Sequence, residues 1–324
     1  MKLATLDDGS PDGRLIVVSP DATRFLSCDQ YATLQSALDD WTAAEQRLRG
    51  LHERLVCGEG ASVPIDRLLA PLPRAWQWLD GSAFRSHGAL MEQLFGTAPP
   101  PPDRPLMYQG MSHRFLSATE DVVLPRTEDG IDFEGEFGVV TDAVPLGVTP
   151  DQALSHIKLI VQINDWSLRV LAGPEMKTGF GWVQAKPACS VAPFAVTPDA
   201  LGDAWRDGRV CLPLVVDWNG RRFGAPLGDL MGFGFHQLVA HAASTRNLCA
   251  GTIIGSGTVS NPDYRVVGST CIAERRGIEM LDQGSPQTAY MAFGDTVRME
   301  ATASDGSVLF GCIEQRVVAT TARG

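Results

Sequence analysis

The apolar positions of this chain change their rhythm from one end to the other. Two short apolar stretches, Lys2–Leu6 and Arg14–Ser19, flank the turn-rich DDGSPDG, a pattern that predicts a hairpin. From Tyr31 to about Val56 the residues Leu34, Leu38, Trp41, Ala44, Leu48, Leu51 and Leu55 recur at three- and four-residue steps. That spacing predicts one amphipathic helix, ended by the glycine-flanked Cys57–Ser62. Thr97–Pro105 holds five prolines and must be an extended surface connection, because proline lacks the ladder donor. From Met107 onward short β-like runs dominate: Asp132–Val140, Lys158–Asp165, Leu212–Val216, Thr252–Ser256, Thr296–Ala301 and Val308–Val318. Between them only Thr149–Ile157 and about Phe235–Leu248 carry a helical pattern, the second closing on a glycine cap at Ala250–Gly251. There is no internal repeat at a fixed period.

Strands this frequent, without regular helices between them, argue against a doubly wound parallel sheet. The expected fold class is α+β and mostly β, a mixed β-sandwich roll. We expect a catalytic domain over residues 74–324, preceded by a small N-terminal α/β accessory domain over residues 1–73, an organisation that 324 residues accommodate. With 44% hydrophobic and 20% charged residues the chain has ample apolar surface to offset the entropy of ordering, which excludes intrinsic disorder. No apolar run approaches the roughly 18 residues of a membrane span. The start, MKLATLDDGSPDG, meets acidic and turn residues where a signal peptide needs an apolar stretch, so a cytoplasmic protein with no membrane partner is expected. A formal charge of -11 disfavours nucleic acid as a partner, since neutralising phosphates takes clustered Lys and Arg. The seven cysteines are scattered and form no CxxC pair, which leaves buried reduced thiols as the expectation.

Candidate chemistry begins at Asp132-Phe133-Glu134-Gly135-Glu136-Phe137. On a strand alternate residues share a face, so Asp132, Glu134 and Glu136 point one way and both phenylalanines the other. Either that polar face is wet, as is common in antiparallel sheets, or the face is buried and the repelling glutamates need a cation. Asp165 ends the apolar run Val161–Asn164, where it either caps a turn or is presented as a functional group at a strand end. Three carboxylates without a Cys or His cluster would be a hard-oxygen site, suited to Mg, Mn or Ca and ill matched to Zn or Cu. Gly255-Ser256-Gly257-Thr258 runs on into Val259-Ser260-Asn261-Pro262, a loop rather than the helix a dinucleotide fingerprint opens. Neither a GxSxG elbow nor an HExxH motif occurs.

Taken together, EGE, then NDWSLR some thirty positions later, then QAKP and GTIIGSGT, resemble the fumarylacetoacetate hydrolase superfamily over roughly residues 74–320. The resemblance implies that Glu134, Glu136 and Asp165 bind a divalent metal (Mg2+, Mn2+ or Ca2+). It implies Asp80 as a fourth ligand, seven residues ahead of His87 as general base. Lys186 and Arg169 would hold a substrate carboxylate or stabilise an enolate, Thr258 and the neighbouring Gly257 would bind substrate oxygens, and Glu274 would orient His87. The implied activity is hydrolysis of a C–C bond in a β-dicarbonyl acid of the fumarylacetoacetate or acylpyruvate type, through a metal-stabilised enolate, as in aromatic amino-acid catabolism. A hydratase, isomerase, decarboxylase or tautomerase of a 2-oxo acid would share that enolate chemistry. A homodimer is implied as well. A scaffold without catalysis is the third reading, but it gives no reason to keep repelling charges adjacent.

Elementary chemistry supports part of this assignment. Imidazole is the side chain best matched to moving protons near neutral pH. His52 lies on the accessory helix, and His156, His236 and His241 lie in helical stretches, which leaves His113 as the competitor of His87. Lys186 could form an ordinary surface ion pair, of little energetic weight, yet Ala185 and Pro187-Ala188-Cys189 make an apolar setting for it. The chain departs from the family pattern at Ala172, where some hydrolytic members have glutamine. It departs again at Leu90, where acylpyruvate-cleaving members carry glutamate, with Glu92 nearby. Both departures leave the acyl group of the substrate open.

Overall fold

The computed structural model describes residues 1–95, 102–303 and 305–320. Most of the expected connection Thr97–Pro105 therefore lies outside the described residues. The N-terminal hairpin forms in the expected place: Lys2–Leu6 pairs antiparallel with Arg14–Val18, Leu3 opposite Val17 and Ala4 opposite Ile16. Strand alternation then sends Leu3, Leu15 and Val17 into one apolar layer and Ala4, Ile16 and Val18 into another.

The single helix expected over Tyr31–Val56 is two helices, Leu34–Asp39 and Trp41–Val56, with Asp40 between them at φ -130°, ψ 44°. The Asp40 carboxylate accepts the Tyr31 hydroxyl at 2.7 Å, a local bond that competes with helix continuation. Thr33 and Ser36 form a capping box at the first start. The stripe Trp41, Ala44, Leu48 and Leu55 is buried and packs on the layer that holds Leu3 and Leu15.

The largest sheet has 12 strands. Its main path runs Ala61–Ser62, Arg24–Ser27, Arg14–Val18, Lys2–Leu6, Ala195–Val196, Ile157–Asn164, Gly135–Thr141, Ile253–Gly255, Trp78–Ser82, Leu106–Gly110. The hairpin thus joins the body of the protein edge to edge, Leu3 opposite Ala195. A five-stranded sheet, Arg221–Gly224, Val215–Trp218, Thr296–Thr302, Val308–Ala319, Val122–Leu124, packs across the same core: Val139 and Ile160 from the large sheet meet Val216, Met299 and Ile313 in one cluster. Both sheets are mixed, because Ile253–Gly255 runs parallel to Trp78–Ser82 and Val308–Ala319 parallel to Val122–Leu124. Mixed α/β with more strand than helix, and a small N-terminal domain, is the class expected.

Several local expectations need correction. The run Asp132–Val140 is broken at Phe133–Glu134: Ile131–Asp132 pairs with Ser167–Leu168, while Gly135–Thr141 pairs with Ile157–Asn164. The strand placed at Leu212–Val216 is Val215–Trp218. Thr149–Ile157 is only the short helix Pro150–Ala153 and a 3-10 turn to His156. The helix from Phe235 stops at Ala242 rather than near Leu248, and the Gly251 N–H bonds Thr141 O instead of capping it. Four helices carried no recognised signal: Arg85–Phe95, Arg169–Thr178, the short Tyr264–Val267 and Ile272–Gln283. Of the cysteines, Cys28, Cys189 and Cys271 are buried, but Cys57 and Cys249 are exposed; all seven are free thiols. No helix among the described residues is long and apolar enough to cross a membrane.

Candidate active site

Four neighbouring strands of the large sheet bring the carboxylates together. Gly135–Thr141 is paired with Ile157–Asn164 on one side and Ile253–Gly255 on the other, and the latter pairs with Trp78–Ser82. This register sets Glu136 opposite Ile163, just before Asp165, and sets Gly255 beside Asp80. Gly255 fits because it has no side chain: a Cβ there would lie 2.4 Å from Asp80 Oδ1 and 3.0 Å from Glu136 Oε2. Asp80, Glu136 and Asp165 are all buried, and one oxygen of each lies within 4.8 Å of the others. The DFEGEF face is not wet: Asp132, Glu134 and Glu136 are 0%, 6% and 0% exposed.

The electrostatics of this trio are those of a site built for a cation. Burial pushes the Asp80 carboxyl well above its ordinary range, and the charge of Asp165 pushes it further. Glu136 is raised in the same way, first by burial and then by Asp80. Two carboxyl groups facing each other in the dry can keep only one full charge without help. Both oxygens of Glu136 are buried with no hydrogen-bond donor among the described residues, a rare state for a buried polar group. All-oxygen donors, unmet lone pairs and mutual repulsion fit a hard divalent cation such as Mg2+, Mn2+ or Ca2+.

Glu134 stands next to the trio rather than in it. Glu134 Oε1 accepts from Lys186 Nζ at 2.8 Å and from Ser167 Oγ at 2.5 Å, while the Thr258 hydroxyl donates to Glu134 Oε2. Arg169 Nη2 lies 3.0 Å from Glu134 Oε1. Burial disfavours the charged form of Glu134, but Arg169 and Lys186 outweigh it and hold the carboxyl well below its ordinary range. Lys186 also donates to Asp165 Oδ2 at 2.5 Å. Burial lowers this lysine; Asp165 and Glu134 outweigh that and hold it a cation, above its ordinary range. Arg169 Nε donates to Asp132 Oδ2 at 2.7 Å.

His87 sits on the helix Arg85–Phe95, and its Nδ1 lies 3.0 Å from Oε2 of the fully buried Glu274 on the helix Ile272–Gln283. A carboxylate at Nδ1 accepts the ring proton, leaves Nε2 with a free lone pair and favours the imidazolium when it forms. His113, the competitor, is exposed. The Gly257 N–H donates to Asp80 Oδ1 at 3.2 Å, so this backbone group and the Thr258 hydroxyl both meet carboxylates.

Two groups at the site escaped the sequence. Tyr108 donates its hydroxyl to Asp165 Oδ2 at 2.7 Å, and its ring lies 5.5 Å from Lys186 Nζ. The Cys189 thiol donates to Asp165 Oδ1 at 2.9 Å. Burial, then Asp165, pushes both groups up and keeps them protonated donors. The available signal for Tyr108 was its place in a strand beside Asp80, a pairing 28 residues apart that no local pattern announces. Trp182 packs edge-on against Tyr108 at 4.5 Å between ring centres, and its own ring lies 5.7 Å from Lys186 Nζ.

Comparison with known proteins bears on family and fold. The profile of the family described as fumarylacetoacetate (FAA) hydrolase C-terminal matches residues 77–318, and that of fumarylacetoacetase N-terminal domain 2 matches residues 1–74. The chain is 30% identical over 162 residues to the 2,4-didehydro-3-deoxy-L-rhamnonate hydrolase of Sphingomonas sp. (strain SKA58), covering 49% of this chain and 54% of that one. The chain spans about half the length of the curated relatives it matches first. Among solved structures, 5-carboxymethyl-2-hydroxymuconate delta-isomerase from Mycobacterium smegmatis has a TM-score of 0.62 at 18% identity. Maleylpyruvate hydrolase from Sphingobium sp. SYK-6, solved with manganese(II) and pyruvate, has a TM-score of 0.66 at 18% identity. Each covers 99% of this chain and 100% of its own, a likeness of fold.

Proposed function

The chain belongs to the fumarylacetoacetate hydrolase family, and from that premise we propose that it is a divalent-metal-dependent hydrolase that cleaves a carbon–carbon bond in a β-dicarbonyl acid. The observation that carries this reading is the buried trio Asp80, Glu136 and Asp165, with Glu136 left without a donor among the described residues. These three would hold the cation, with Glu134 beside them as the carboxylate that gathers Lys186 and Arg169. A divalent cation there supplies Lewis-acid polarisation of the substrate's carbonyl oxygens. The hydrolase names of relatives and the manganese and pyruvate of the Sphingobium enzyme support the same reading.

The protein's own groups supply the rest. His87, held by Glu274, takes a proton from water through Nε2 as the water attacks the carbonyl next to the scissile bond. Lys186 and Arg169 present fixed positive charge where the leaving carbon develops negative charge, with Lys186 buried beside the rings of Tyr108 and Trp182. Tyr108 and Cys189 hold Asp165 in one orientation through their bonds to its two oxygens.

Incubating the protein with Mg2+ or Mn2+ and a panel of acylpyruvates and other β-dicarbonyl acids should yield two carboxylic acids per substrate consumed. His87→Ala should lower turnover roughly 10²–10⁴-fold, the usual worth of a general base, while calorimetry finds metal binding retained. Near-normal turnover in His87→Ala would remove the base assignment. Products isomeric with the substrate would overturn hydrolysis in favour of an isomerase or tautomerase.

A further inference from the structure

Asp132 heads the DFEGEF run, is fully buried, and has no part in the convergent trio. Its two oxygens serve two separate arms of the site. Oδ1 accepts the Ile272 N–H at 2.7 Å, and Oδ2 accepts the Ala273 N–H at 2.9 Å. These are the first amides of the helix Ile272–Gln283, donors that the helix itself leaves without partners. The local cap is only the Cys271 sulfur, which accepts the Glu274 N–H at 3.3 Å. The anion that completes this helix start therefore comes from a strand 140 residues earlier. A carboxylate at a helix N-terminus is favoured by the dipole and by charge-assisted bonds.

Glu274, the partner of His87, is the third residue of that helix, so its place follows from how the first turn is held. The second arm is Arg169, whose Nε donates to Asp132 Oδ2 at 2.7 Å. A short ribbon sets this contact, because Asp132 pairs with Ser167, two residues before Arg169. A capping role alone would need only the first arm. We propose that Asp132 is a positioning residue that locks the helix bearing Glu274 and the guanidinium of Arg169 to one another, so that base and arginine meet the substrate in a fixed relation. The proposal rests on the reading of His87 and Arg169 given above.

The test is Asp132→Asn, whose amide nitrogen cannot accept, so at least one of the three donors loses its partner. The His87 Nδ1–H resonance is followed by NMR and assigned by its loss in His87→Gln; oxalate binding in the presence of Mg2+ is measured by calorimetry. Asp129→Asn is the control, a buried carboxylate three residues earlier that pairs with Arg126. In Asp132→Asn the His87 resonance should shift or broaden, oxalate should bind about tenfold more weakly, and kcat/KM should fall roughly 10²-fold. The control should lower the melting temperature and leave the resonance and oxalate binding as in the wild type. Should Asp132→Asn fail to fold, Asp132→Ser, which keeps one acceptor oxygen, is read in the same way. An unmoved resonance and unchanged oxalate affinity, or equal changes in the control, would overturn the role of Asp132. Wild-type protein that turns over no dicarbonyl acid would overturn the hydrolase reading instead, and the resonance would still decide on Asp132.

Discussion

Two stretches of this protein alternate polar and apolar residues in the same way and end in opposite surroundings. In the small sheet, Val297, Met299 and Ala301 point into the core, while Arg298 and Glu300 are half-exposed on the face they share with Glu314 and Arg316. In the large sheet every residue of Gly135–Thr141 is buried, Glu136 included. Both strands have partners on each side, so position within the sheet does not separate them. Their outer faces do. On that of the large sheet Glu136 meets Asp80 and Asp165, and Lys186 and Tyr108 bond Asp165, whereas Arg298 is half-exposed beside Glu300 and Glu314. Alternation states which residues share a face; only the tertiary structure states whether that face is covered. Where it is covered, carboxylates depend on the cations placed among them.

That dependence gives the largest expected effect. Lys186→Met removes the donor shared by Glu134 and Asp165 and leaves two buried carboxylates with less compensation. In metal-free protein the unfolding free energy should fall by about 3–5 kcal/mol, the cost of breaking a buried pair. Urea unfolding in the presence of a chelator measures it. A loss as small as that of a surface pair would mean that the buried network is not interdependent, and the contrast between the strands would lose its energetic content.

The second effect comes from protons and metal competing for the same oxygens. Asp80 and Glu136 keep their protons above the ordinary values of 3.8 and 4.5 in the folded protein. Their stabilising contribution is complete below those values and is lost as pH rises through the folded ones. Glu134 acts with the opposite sign: its carboxyl is depressed, so its contribution is present above 4.5 and is lost only in more acidic solution. Above pH 4.5 the Glu134 contribution is already complete and the first pair dominates, so metal-free protein should become less stable as pH rises. Glu136→Gln should flatten that fall. Mg2+ at 100 times its dissociation constant should restore about 2.7 kcal/mol near neutrality and less at the acidic end, where protons occupy the ligands. Melting curves with Mg2+ and with a chelator, across pH, check both signs.

Much of this site was legible in the residues, and the limits were physical. The hairpin Lys2–Val18 follows from local turn chemistry and period-two alternation, both short-range. The carboxylates of DFEGEF stood out by their spacing, although the break in the strand denies them a single shared face, and NDWSLR and QAKP carry the Asp165 and Lys186 that lie close to them. What could not be read were relations across the chain. The cap that Asp132 gives to a helix 140 residues away has no local trace, and the helix itself passed unrecognised. The helix Arg169–Thr178 was hidden by Gly173-Pro174, residues that disfavour helix where the tertiary structure nevertheless keeps one. Glu134 shares the strand pattern of Glu136, yet the break at Phe133–Glu134 turns it toward Lys186 and Thr258.

The smallest effect tests the exposed half of the contrast. Glu314 is 67% exposed on its side chain and lies 3.8 Å from Arg298, which keeps Glu300 as a second partner. Water screens such a pair and both side chains lose freedom in forming it, so Glu314→Gln should change stability by no more than about 0.5 kcal/mol. At about 1 M salt, where the screening length falls to roughly 3 Å, even that difference should shrink. A loss approaching that of Lys186→Met and insensitive to salt would show that the outer face of the small sheet is covered in solution, with a second copy of the chain as the first candidate. The two strands would then differ not in kind but only in which molecule supplies the cover, and the same alternation would mark an interface in one place and a cation site in the other.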